Sequence, residues 1–196
     1  MPRRRTSSIH SISINRAPVM ALWGAVVAER QGYDWDAAVT LGKAVSGMNA
    51  QSKGQRLGIY EPSPASAEKT NPDRAPQASD TYVELLGRRV PAARARGRLR
   101  AVAGGKAMNP SGAEHYLERA FGDALPDIRR AMEDLAQSYS PDELATIAYG
   151  LYEQFRPDVP PGTRGWGARG TLDVNRIRSL RPQQDEGRRS KPNSNH

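Results

Sequence analysis

Apolar residues recur along the chain at helical spacing in five segments. Val19, Leu22, Trp23, Val26 and Val27 follow the i, i+3, i+4, i+7, i+8 pattern of a helix with one buried stripe, and Gly32 is a suitable stop. Asp34 is placed to cap a second helix carrying Ala38, Leu41, Val45 and Met48 on one face and fading near Gln51. Further on, Ala113, Tyr116, Leu117, Ala120 and Phe121 form a third stripe, begun by a capping box of Ser111 and Glu114 and ended by Gly122. Asp123 is read as the cap of a fourth, with Leu125, Ile128, Met132, Leu135 and Tyr139 on its face. Ser140-Pro141-Asp142-Glu143 joins an N-cap, a proline at the first helical position and two acids that suit the positive end of a helix. The stripe behind it is Leu144, Ile147, Ala148, Leu151 and Phe155.

Period-two signals are weaker. Leu57 to Tyr60 reads as a short strand, Tyr82 to Leu86 and Arg98 to Val102 as strands around Gly87 and Pro91, and Gly104-Gly105 as a turn. Prolines 157, 160 and 161 end the fifth helix, PGTRGWGARG is a loop, and Asp173 caps a last short helix through Leu180. The predicted architecture is mainly α, a compact helical fold with a small irregular β-hairpin between an N-terminal helical pair and three C-terminal helices. Its expected divisions are a disordered basic tail over 1–14, the helical pair over 15–60, a mobile Pro- and Ser-rich linker over 61–80, the hairpin and bundle over 81–180, and a disordered tail over 181–196. The first pair is too small to bury its own stripes, so it is expected to pack on the later helices across the linker.

Composition narrows the function classes. The absence of cysteine removes disulfides, thiolate catalysis and sulfur-ligated zinc, and suits a reducing compartment. The longest apolar run, Ala17 to Ala28, contains Pro18 and falls well short of the roughly 20 residues that span a bilayer. The expectation is therefore an intracellular protein, cytoplasmic or nuclear/nucleoid, with no membrane partner. The Arg- and Ser-rich start has the composition of a mitochondrial transit peptide, but a flexible basic tail is the preferred reading.

The formal net charge of +8 is unevenly spread: +9 over Met1 to Lys106, −6 over Ala107 to Pro160 and +5 over Pro161 to His196. Between Glu84 and Glu114 no acid occurs, while Arg88, Arg89, Arg94, Arg96, Arg98, Arg100 and Lys106 accumulate. Such a cluster stays solvated, meets a polyanion, or meets the acidic 107–160 block. These seven are the first candidates for phosphate contacts, with Lys43, Lys53, Arg56, Arg164, Trp166 and Arg169 in second rank. Trp166 offers a stacking face among Gly162, Gly165, Gly167 and Gly170, although a Trp-anchored structural turn is the plainer reading of that loop.

Other chemistry finds less support. A helix-turn-helix over Val27 to Leu41 places Gln31 where an apolar residue belongs and opens its recognition helix with Asp34 and Asp36, which repel phosphate. His10 and His196 lie in tails, His115 has no nucleophile elbow to serve, and Glu133-Asp134 and Asp142-Glu143 read as solvated face and capping. No catalytic residue, metal ligand or cofactor is predicted. The leading reading is a nucleic-acid-binding regulator or accessory protein. The alternative is a protein-interaction or self-assembly module, as a homo-oligomer or on an acidic partner, joining basic and acidic patches. An enzyme with an unrecognised site is third, and the sequence favours a non-enzymatic role.

The blocks INRAPVMALWGAVVAER, LGKAVSGMNAQSKGQRLGIYEP, YLERAFGDALPDIRRAMEDLA and GWGARG resemble those of a family of small uncharacterised proteins, over most of Ile14 to Leu180. The resemblance implies a discrete folded unit. It carries no activity and no functional residue.

Overall fold

The structure is a computed structural model, and it describes residues 9–56, 81–163 and 168–182. The strand expected at 57–60, the 61–80 linker, Arg164 and Trp166 lie outside the described residues, as does most of each expected tail.

The chain starts with β1 (Ser11–Asn15) and passes directly into α1 (Arg16–Arg30). The basic tail expected through residue 14 is thus corrected over its last part. Ser11–Asn15 pairs antiparallel with β6 (Arg169–Asp173), with Ile12 opposite Leu172 and Ile14 opposite Gly170. Helix α1 is also more than the half-buried stripe expected: every residue from Pro18 to Ala28 is buried. A helix apolar all round occupies the middle of a fold, and α1 does so, touching α2 and three later helices. The Trp23 indole donates to the Ala148 carbonyl at 2.8 Å, and its ring meets Phe155 edge-on at 5.4 Å.

Helix α2 (Trp35–Arg56) is capped as expected, the Asp34 carboxylate accepting from the Ala37 N–H at 2.8 Å. It crosses α1 at backbone contact through Gly24 and Gly42. Where a small irregular hairpin was expected, the chain forms a four-stranded antiparallel meander, β2 (Thr81–Leu85), β3 (Arg88–Ala95), β4 (Arg98–Ala103) and β5 (Lys106–Ala107). Its three two-residue turns, Leu86-Gly87, Arg96-Gly97 and Gly104-Gly105, have positive φ at both positions, the geometry that matches strand twist in tight hairpins. Pro91 pairs with Tyr82 of β2 but lies just beyond the β3–β4 register, which begins at Ala92, so its missing N–H does not interrupt that ladder. The inner sheet face, Val83, Leu85, Val90, Ala92 and Ala101, is buried in the common core. Thr40 fastens α2 to β4 by accepting from the Ala101 N–H at 3.0 Å.

Helices α3 (Pro110–Phe121), α4 (Leu125–Gln137) and α5 (Pro141–Phe155) complete the bundle, and α6 (Val174–Ser179) follows β6, capped by Asp173 as expected. The capping box at Ser140 and Glu143 is present in both directions. Two caps are corrected. Asn109, not Ser111, caps α3, because Pro110 takes the first helical position and the residue before it becomes the cap. Asp123 caps nothing, since it lies in a 3-10 turn (Gly122–Ala124) that runs straight into α4. One apolar cluster spans both sides of the linker, so the fold is mainly α as expected and the N-terminal pair does pack on the later helices. No helix among the described residues is long and apolar enough to cross a membrane.

Candidate nucleic-acid interface

The arginine-rich stretch is contiguous in sequence, but the meander divides it in space. Strands β3 and β4 run antiparallel, so the Arg96-Gly97 turn lies at one end of the sheet while the Leu86-Gly87 and Gly104-Gly105 turns lie at the other. Helix α2 spans the same distance. Asp36 in its first turn meets β4, and Asn49 and Ser52 near its end meet the start of β3. At roughly 1.5 Å per residue, Asp36 and Ser52 are about 24 Å apart along the axis. Arg94, Arg96, Arg98 and Arg100 therefore belong to one end, and Arg88, Arg89 and Lys106 to the other.

Two of the four arginines at the first end are neutralised. Arg100, only 8% exposed, donates to Asp36 at 3.0 Å and lies 3.8 Å from Asp34, and Arg98 reaches Asp36 at 3.3 Å. A guanidinium this buried needs its carboxylates, and the two acids that argued against a recognition helix supply them. Arg94 turns back to the Gly97 carbonyl at 3.4 Å. Arg96 is exposed at the turn, with no carboxylate in ion-pair range among the described residues. None of the seven cations pairs with the acidic 107–160 block among the described residues. Several acids of that block find other partners: Glu133 takes Arg129, Asp134 takes Arg181, and Asp158 takes Arg176.

The second end is more open. Arg88 spans to Ser52 Oγ at 3.2 Å and Asn49 Oδ1 at 3.4 Å, both neutral groups that leave its charge intact. Arg89 is exposed, 3.5 Å from Glu84 and with its guanidinium carbon 4.5 Å from the Tyr82 ring centroid. Lys106 is exposed; Ala103, its partner on β4, places it about 10 Å from β3, two strand spacings away. Helical spacing puts Ser52, Lys53 and Arg56 along the same end of α2, and Lys53 and Arg56 are both exposed. Five cations on three elements thus lie at this end, Arg88 on the α2 side of the sheet and Arg89 on the opposite face, with Glu84 the one carboxylate in ion-pair range among the described residues.

The remaining second-rank residues do not join this end. Lys43 lies over the Tyr116 ring at 4.7 Å, tying α2 to α3. Arg169 is held to β1, donating to the Ser13 carbonyl and hydroxyl. Tyr82 was not among the sequence candidates, although it is the most exposed large apolar side chain among the described residues, at 51%. Its signal was the alternation in Thr81–Leu85, which puts an aromatic on the same face as Glu84. No group of three or more His, Asp or Glu that could hold a metal ion occurs among the described residues. His115 is exposed, 3.9 Å from Glu118 on its own helix. The chain matches no family model, no curated protein and no solved structure.

Proposed function

We propose that the protein binds nucleic acid, as a regulator or accessory factor, through the basic end of its sheet rather than through the whole arginine-rich stretch. The observation that carries this reading is the gathering of Arg88, Arg89, Lys106, Lys53 and Arg56 at one end of the sheet, with Glu84 the one carboxylate in ion-pair range among the described residues. Phosphate contact by these groups would release counterions, the sequence-independent part of nucleic-acid affinity. Lys53 and Arg56 also face the negative end of the α2 dipole, which absorbs part of their charge. The expected number of phosphates neutralised is therefore about three to five, giving log K against log salt a slope of roughly −3 to −4.5 on duplex DNA.

Fluorescence anisotropy across a salt series on duplex and single-stranded probes tests the assignment. Changing Arg88, Arg89, Lys106 and Lys53 together to Ala should weaken binding by more than tenfold and flatten the slope by about 2 to 4. A control changing Arg94 and Arg96, at the opposite end, should do much less. Wild-type affinity and slope in the fourfold variant would overturn the proposal. The same surface suits an acidic protein face, including the helices of a second copy; a mass that falls as salt rises, with no oligonucleotide binding, would favour that reading.

A further inference from the structure

Strand β2 buries Val83 and Leu85 and turns Tyr82 and Glu84 to the opposite face of the sheet. Their cross-strand partners, Pro91 and Arg89, share that outer face, and alternation adds Ala93 and Ala95, both partly exposed. The floor next to Tyr82 is thus Pro91, with Ala93 and Ala95 farther along β3 opposite Arg100 and Arg98 of β4, and it stands beside the basic end already described. Arg89 covers one side of the phenol ring at 4.5 Å, while half of the residue's surface remains in water. An exposed ring braced by a guanidinium at the edge of a basic surface is a combination that holds an unpaired base: the ring takes the base, and the neighbouring cation takes the backbone. A duplex cannot use such a ring without unstacking, because its bases face one another.

We infer that the outer face of the sheet is a platform for single-stranded nucleic acid, with Tyr82 stacking one base and Arg89, on the same face, holding the adjoining phosphate. This inference rests on the phosphate-binding reading above and adds the substrate class. Tyr82 lies outside the core, so its substitution leaves the fold in place. The phenol hydroxyl has no part in stacking, so Tyr82→Phe retains the function and Tyr82→Ala loses it.

The test uses the full chain as wild type, Y82A and Y82F, titrated into three labelled probes: an oligothymidylate, an abasic strand of the same length, and a duplex. Wild type and Y82F should prefer the oligothymidylate over the abasic strand by roughly 5- to 150-fold, the worth of one stacked base. Y82A should lose that preference while keeping its affinity for the abasic strand and the duplex, its salt slope and its melting temperature. If wild type treats the oligothymidylate and the abasic strand alike, or if Y82A weakens all three probes equally, the stacking platform is overturned and the phosphate reading stands. If wild type binds none of the probes, both fall.

Discussion

Replacing Gly42 with Ala adds one methyl group at the point where α1 and α2 touch. A Cβ at that position would stand 2.2 Å from the Ala21 carbonyl oxygen, 2.5 Å from the Ala25 nitrogen and 3.1 Å from the Ala25 Cα. All three are backbone atoms of α1, so no side chain can swing aside. Relief requires the helices to part by about 1 Å, and overpacking of this kind costs about 1–3 kcal/mol or more. Helix α1 is buried from Pro18 to Ala28 and supports α3, α4 and α5, which places the cost at the upper end. Better helix propensity returns about 1 kcal/mol, leaving a net loss of about 2 kcal/mol or more, or roughly 4–8 °C in melting temperature for a chain this size. Gly47 lies in the same helix, is exposed, and has nothing within 4 Å of a built Cβ. There the same substitution should stabilise by about 0.5–1 kcal/mol. Urea unfolding followed by far-UV circular dichroism, on both variants, reads the contrast. A Gly42→Ala protein as stable as wild type, or two variants shifting the same way, would refute the close helix crossing.

Two other changes follow from the charge arrangement. Asp36→Ala leaves Arg100, 10% exposed in its side chain, with the Leu99 carbonyl and, as its one carboxylate among the described residues, the more distant Asp34. Urea unfolding should show a loss of about 2 kcal/mol, less than the 3–5 of a fully buried pair because Asp36 keeps 38% of its exposure. An unchanged midpoint would show that Arg100 is solvated after all. Burial, with Glu133 nearby, raises the Glu29 pKa above 4.5 despite the opposing pull of Arg129. The folded state then holds a proton that the unfolded state releases, so Glu29 costs stability as pH rises from 4.5 through its folded pKa. The stability of Glu29→Gln relative to wild type should accordingly grow from pH 4.5 to neutrality, and a difference that shrinks would reverse the sign of the argument.

What the sequence disclosed was local. Asp34, Ser140 with Glu143, and Asp173 cap as their positions predict, because a cap needs only the next three residues. Even the misread cap at α3 obeys the rule that located α5, since Asn109-Pro110 repeats the arrangement of Ser140-Pro141. The hidden features needed distant partners or unusual turns. Ser11–Asn15 alternates serine and isoleucine, yet its partner is Arg169–Asp173 at the far end of the fold, and without that partner the segment looks like tail. The hairpin turns begin with Leu86 and Arg96 rather than the Asn, Asp or Gly that usually mark two positive φ angles. The β3 strand between them was lost for that reason.

The same turns decide what the arginines can do. Were Arg88 to Arg100 one irregular loop, their charges would repel and spread, and density along the chain would approximate density in space. A strand fixes about 3.3 Å per residue, so Arg88 and Arg94 are carried about 20 Å apart, beyond the Debye length of physiological salt. Each end must then be judged by the groups folded against it. At one end Asp34 and Asp36 pair with Arg98 and Arg100. At the other, the cap side of the sheet recruits Lys53 and Arg56 from a helix that precedes the stretch by some thirty residues. The local positive charge is therefore assembled by topology, and a variant that moved the Leu86-Gly87 turn without removing any arginine would disperse it.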